Sequence, residues 1–249
     1  HLMTAGDIFL MCLIIWLSVK YRKILPIILS VVQTAVVLYT EFTAEVAEAP
    51  HMMVDWLTIL MCVIIAFIGG FICIYTVGYM KGYHKHHTEV KDRQPFFFSM
   101  LFLFLAAMFG LVLSQNLIWI YFFWEITSVI SFLMIGYTRT EEAVNNSFCA
   151  LWMNLLGGLG FAVAIAIMAQ ISGSLQLIHV VEVGAPLPLM CLALAGITKS
   201  AQLPFSTWLL GAMVAPTPSS ALLHSATMVK AGVYLLIRIS PALEGNMVG

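Results

Sequence analysis

The stretch "AGITKSAQLPFSTW", residues 195–208, decides how this chain is read. It places Lys199 and, five residues on, Pro204 inside a long apolar segment. A charged side chain is expensive in hydrocarbon, and a proline inside a helix removes a backbone hydrogen bond and crowds the preceding turn. Two such features within two turns leave two readings. Either the segment does not cross a membrane, or it crosses one as part of a working site.

The rest of the chain selects the second reading. Of its 249 residues 61% are hydrophobic and only 9% are charged, whereas soluble domains are about a quarter charged; the mean hydropathy is +0.99. Apolar runs of about 18 residues or more have the length needed to cross a bilayer as helices. About eight occur, roughly 5–19, 24–40, 56–78, 96–113, 116–137, 148–171, 187–210 and 219–240. The expected fold class is therefore all-α, a polytopic transmembrane helical bundle of about eight helices with a broken seventh helix.

Loop charge orients the bundle. Lys20, Arg22 and Lys23 follow the first run, Lys81, Lys85, Lys91 and Arg93 the third, and Arg139 the fifth, whereas "EFTAEVAEAPHMMVD" (41–55) after the second is acidic. Lys and Arg collect on the cytoplasmic side, so the N-terminus is expected outside, with odd-numbered helices running inward. A net charge of -1, with no basic stripe, RNP-like run or zinc-finger spacing, excludes nucleic acid as the partner. Cys12, Cys62, Cys73, Cys149 and Cys191 lie singly in apolar runs, which supports neither a disulfide framework nor an iron–sulfur or zinc site. Residue 1 is His, and no signal-peptide pattern follows it; the natural start is expected upstream.

Gly69-Gly70 and "GGLG" (157–160) are expected to let helix backbones approach. The alternative for "GGLG", a phosphate cradle, lacks a following Lys-Ser/Thr and lies within a span. His84, His86 and His87 in "YHKHHTE" have metal-ligand chemistry, but a solvated loop is the expected reading.

Four ionisable residues remain at membrane depth: Glu125, Lys199, His224 and Lys230. Counted along their runs, Glu125, Lys199 and Lys230 each lie roughly 15 Å from a helix end. Central charges cost about 2.5–3.5 kcal/mol each on insertion scales, so all three are expected in a polar interior. A structural Glu–Lys pair would need only one lysine. Pro204 joins the same picture, because carbonyls freed by a broken helix are tolerated where the backbone borders a hydrated cavity. Ser200, Gln202, Ser206 and Thr207 are the expected polar lining. In "APTPSSALLHSATMVKAG" (215–232), Pro216, Pro218, Ser219 and Ser220 mark a helix start, and His224 precedes Lys230 by six residues, about 9 Å of rise.

The runs "GYMKG", "FFWEITSVISFLMIGY", "TKSAQLPFSTWL" and "APTPSSALLHSATMVKAGVYLL" resemble the antiporter-like membrane subunits of respiratory complex I, membrane-bound hydrogenases of the formate hydrogenlyase type and Mrp sodium/proton antiporters. The resemblance spans roughly residues 54–241. It implies two inverted five-helix repeats, of which this chain holds the first. Residues 1–95 are then three N-terminal helices with a cytoplasmic loop, 96–241 the repeat of helices four to eight, and 242–249 the start of a connection to a second repeat. It also implies a proton relay of Glu125, Lys199, His224 and Lys230, other membrane subunits including homologous antiporter-like ones as partners along with lipid, and a bacterial or archaeal cytoplasmic membrane. Where many hydrogenase and Mrp members carry histidine after "PF" and proline after "WL", this chain has Ser206 and Leu210. Lys230 is usually threonine in the distal complex I subunit, so the hydrogenase and Mrp branches fit better.

The function expected is that of a proton- or sodium-translocating subunit driven by redox chemistry in partner subunits, with an Mrp-type antiporter subunit or a stand-alone secondary transporter as alternatives. No Rossmann glycine fingerprint or cysteine ligand set occurs, so no cofactor or metal is expected in this chain. Lys199 is expected to hold and release the proton, with Glu125 setting its affinity.

Overall fold

The computed structural model describes residues 2–43 and 52–246, and the described residues are almost wholly helical with no strand beyond two isolated bridges. Helices α1 (Leu2–Lys20), α2 (Ile24–Thr43), α3 (Trp56–His86), α4 (Gln94–Leu113), α5 (Leu117–Ile135) and α6 (Glu141–Ser172) match the first six runs. Among the described residues, seven segments are long and apolar enough to span a membrane, the seventh being Thr217–Leu243. The protein is an integral membrane protein of the expected all-α class. Of the acidic loop, residues 44–51 lie outside the described residues.

Local chemistry sets the helix ends. Asp55 caps α3 by accepting from the Thr58 amide at 2.8 Å, Asn116 caps α5 through the Ile118 amide at 2.9 Å, and Thr140 caps α6 through Ala143; each satisfies an amide that the first helical turn leaves free. α3 is longer than its apolar run and continues through "GYMKGYHKH", with the rings of Tyr75, Tyr79 and Tyr83 adjacent at one-turn spacing. The histidine-rich stretch is therefore helical to His86 and not a loop. His84 lies within 3.2 Å of the Tyr137 hydroxyl, and the described residues contain no metal-binding cluster.

Two runs depart from simple helices. A short helix, α7 (Leu177–Val183), precedes α8 (Pro186–Lys199). α8 stops at Lys199, five residues before Pro204; Ala201 is left-handed (φ 52°), and α9 (Thr207–Gly211) follows. The eighth run divides into α10 (Thr217–Ala221), a π-helical turn over Leu222–Ala226 and α11 (Met228–Asn246), so α11 continues past residue 241.

α6 is the central element, packing against α2, α5 and α8, while α8 also packs against α11. The glycines permit this. A Cβ on Gly157 would strike Thr198, and one on Gly160 would lie 2.9 Å from the Cys191 carbonyl of α8. Gly70 has open space around it, so of the pair 69-70 only Gly69, against Leu105, is a close contact. Arg238 near the end of α11 forms a two-pronged ion pair with Asp55, and its Nη2 also donates to Thr58 Oγ1 at 2.7 Å. The start of α3 and the end of α11 thus lie on the same side of the bundle.

Candidate functional site

Glu125 is the ninth residue of α5 and is 3% exposed. Its neighbours Trp124, Thr127, Ser128 and Ser131 are also buried, so this part of α5 carries a polar strip into the interior. Lys199, the last residue of α8, is 0% exposed. Its Nζ donates to the Trp124 carbonyl at 2.9 Å and to Ser128 Oγ at 2.8 Å, and lies 4.9 Å from the centre of the Trp124 ring. The ammonium is therefore seated on the turn of α5 that carries Glu125. The two charges interact electrostatically, yet they form no ion pair within 4 Å.

The position of Lys199 at a helix C-terminus favours a cation, because the last carbonyls carry the negative end of the helix dipole. The break that follows is closed by protein groups. Trp208 Nε1 donates to the Thr198 carbonyl at 2.9 Å, and the amides of Ser200, Ala201 and Gln202 return to the carbonyls of Gly196, Thr198 and Ile197.

Glu125 has a second set of neighbours that sequence reasoning missed. Gln33 Nε2 of α2 donates to Glu125 Oε2 at 3.0 Å. A small cavity beside this bond is lined by Glu125, Gln33, Ser30, Thr34, Tyr121 and, from α1, Asp7. Asp7 is 4% exposed. The available signal was a lone acid in the otherwise uncharged first run, followed by a glutamine inside the second.

The other expected site residues are distributed differently. Ser200 is buried and its hydroxyl donates to the Gly196 carbonyl at 2.6 Å. Gln202, Pro204 and Thr207 are exposed, and Ser206 is partly so, which places them on the outer surface of the described chain and not around Lys199. In the chain by itself these residues are thus not packed around Lys199, and the turn at Lys199–Gln202 separates them from α8. His224 lies in the π turn, half-buried, with its Nε2 buried and unpaired. Lys230 is exposed on α11, so the structure brings Glu125 and Lys199 together but not Lys230 with them. π turns inside membrane helices are frequent at functional positions.

A buried carboxylate and a buried amine on separate helices, next to a broken helix in a polytopic bundle, are features found in membrane transport proteins. Residues 114–248 match the family described as "NADH:quinone oxidoreductase/Mrp antiporter, TM", and the chain belongs to that family. Residues 49–88 match "NADH-Ubiquinone oxidoreductase (complex I), chain 5 N-terminus". A protein of Rhizobium meliloti, named as the probable A/B subunit of a K(+)/H(+) antiporter, is 39% identical over 211 residues, 79% of this chain and 21% of that protein. The A1 subunit of a Na(+)/H(+) antiporter from Staphylococcus haemolyticus is 39% identical over 196 residues, 75% of this chain and 23% of its own length. Among solved structures, a chain of the Mrp complex from Dietzia sp. DQ12-45-1b is similar with a TM-score of 0.66 at 27% identity, over 97% of this chain and 28% of that one. The chain thus spans between a fifth and a quarter of the curated relatives it matches.

Proposed function

We propose that this chain is the ion-translocating core of an Mrp-type cation/proton antiporter subunit, working within a multisubunit complex of the bacterial cytoplasmic membrane with homologous antiporter-like subunits as neighbours. The choice of Mrp over a complex I or hydrogenase assembly is supported by the names of the similar proteins, which are antiporter subunits. The single observation that carries translocation is the buried Lys199 ammonium, held by one carbonyl and one hydroxyl and left without a direct counter-ion although Glu125 is its near neighbour.

Such an amine responds to its neighbour. In a low-dielectric interior a charge a few ångströms away acts strongly, so Lys199 releases its proton when the Glu125 charge is neutralised or displaced. Moving one charge against 100 mV takes about 2.3 kcal/mol, equivalent to about a fiftyfold change in proton affinity. His224 and Lys230 serve as the next acceptors, His224 through its unpaired nitrogen and Lys230 on the outward face of α11, toward whatever packs there. Residues 1–95 would act as the scaffold of the 96–241 repeat.

The test is Lys199→Ala and Glu125→Gln, each in the full-length subunit within its assembled complex, with cation-driven proton movement followed in sealed vesicles. Loss of transport with intact assembly is expected. Unchanged transport in either variant overturns the proposal.

A further inference from the structure

Away from Glu125 and Lys199, a larger cavity opens between the last turns of α1, the start of α4, the end of α5 and the start of α6. It measures about 460 Å³. Its walls are mostly apolar, with Leu17 and Phe132 among them, whereas its lining also includes three cations, Lys20, Arg93 and Arg139, and no acid.

The three cations have no counter-charge. Lys20 and Arg139 are exposed and Arg93 is half-buried, and among the described residues none of them forms an ion pair within 4 Å. Lys20 Nζ lies 5.5 Å from the centre of the Trp16 ring. Arg93 donates to the Tyr137 carbonyl, while its Nε is buried and unpaired. The charges of Arg93 and Arg139 are near enough to repel each other. Neighbouring acids are engaged elsewhere: Asp92 accepts from the Gln94 amide at 3.0 Å and lies 3.4 Å from His84, and Glu141 and Glu142 stand in the first turn of α6, where the helix dipole favours them. Like charges gathered around one cavity without an acid favour an anion from outside.

A second, wholly apolar cavity of about 330 Å³ continues the first along α1, α4 and α5 and shares Leu13 and Leu133 with it. It reaches Gly6, where a Cβ would strike the Phe122 ring, so α1 closes on α5 there. From Lys20 back to Phe9 the rise along α1 is about 16 Å, close to half of a hydrocarbon core about 30 Å thick. An apolar groove one leaflet deep beneath three unpaired cations has the form of an amphiphile. A soluble anion would leave the groove empty, and an apolar helix would leave the cations unpaired.

We propose that the groove between α1, α4 and α5 is a binding site for one anionic phospholipid, its phosphate held by Lys20, Arg93 and Arg139 and one acyl chain lying along Leu13 and Leu133 toward Phe122. Loop charge assigns this end of the bundle to the cytoplasmic side, where anionic headgroups attract basic groups at the membrane surface. A lipid seated there fills the gap that α1 leaves against α4 and α5, and so steadies the helix that carries Asp7. The inference does not depend on the transport reading.

The test is lipid retention by the assembled complex, with the full-length subunit, reconstituted in phosphatidylcholine nanodiscs containing a minor fraction of phosphatidylglycerol, exchanged into detergent and counted by mass spectrometry. Wild type is expected to retain one more phosphatidylglycerol per subunit than the double variant Lys20→Gln/Arg139→Gln, whose affinity falls about tenfold or more. Phosphatidylcholine is not expected to replace it. Leu133→Trp, which fills the groove and keeps the cations, is expected to lose the same lipid. Should the double variant fail to assemble, Lys20→Gln alone gives the same reading with a smaller loss. Equal retention in wild type and the variants overturns the inference. So does displacement by inorganic phosphate, which would mark a soluble-anion site, or a cross-link from Leu13→Cys to another subunit, which would mark a partner helix in the groove.

Discussion

Lys199 donates to the main-chain carbonyl of Trp124, the residue immediately before Glu125, and so the amine is fixed to the backbone that carries its carboxylate neighbour. A side-chain ion pair would break when Glu125 changes rotamer. A carbonyl anchor keeps the lysine in place while the carboxylate charge moves or is neutralised.

The second anchor, Ser128 Oγ at 2.8 Å, is therefore expected to matter for rate. A hydrogen bond to a charged group contributes about 1.5–3 kcal/mol. Ser128→Ala is expected to slow vesicle transport about tenfold or more with assembly unchanged, and Ser128→Thr to restore most of it.

Helix approach separates the glycines into two groups. A Cβ at Gly232 of α11 would strike the Gly196 carbonyl of α8 and lie 2.7 Å from the Ser200 amide, whereas Gly70, Gly78 and Gly82 have nothing nearby. Gly232→Ala is expected to destabilise the folded chain by about 1–3 kcal/mol. Gly78→Ala should be neutral or stabilising by up to about 1 kcal/mol. Thermal denaturation of the detergent-solubilised complex distinguishes them.

The Asp55–Arg238 pair carries a pH signature. The Arg238 guanidinium holds the Asp55 carboxyl well below the usual carboxylate range. A carboxyl held lower in the folded state adds stability that is present above its unfolded pKa, about 4, and is lost as the pH falls through the folded value. The Asp55 side chain is 40% exposed, so screening reduces the contribution to about 1 kcal/mol or less. Arg238→Leu is expected to lower the melting temperature by a few degrees at neutral pH and to have less effect in strong acid.

Trp208 is the side chain that closes the end of α8, through its bond to the Thr198 carbonyl. Trp208→Phe leaves that buried acceptor one bond short and is expected to cost about 1–3 kcal/mol. Faster amide hydrogen exchange over residues 196–202 would register it locally.

The bundle was legible in the sequence because hydrocarbon imposes a length and a composition that no side-chain detail overrides. Glu125 and Lys199 were legible for the same reason, each being a charge where charge is expensive. Pro204 marks the break only approximately, since α8 ends at Lys199 and its carbonyls are closed locally, and the polar residues that follow are exposed in the chain by itself. Lys230 lay at the expected depth of its run, but depth says nothing of which face a residue occupies, and it is exposed. Asp7 gives a weak signal because it stands near the end of a short run, and Gln33 because it has no charge. The packing expected of "GGLG" holds for Gly157 and Gly160, while Gly158 faces Glu125 and Gln33 side-chain oxygens.

Because α8 terminates at Lys199, the amine rides on a joint between a rigid rod and a bent strap. The bonds to the Trp124 carbonyl and Ser128 Oγ clamp that joint onto α5. The hinge of the rod and the buried cation are thereby one and the same residue.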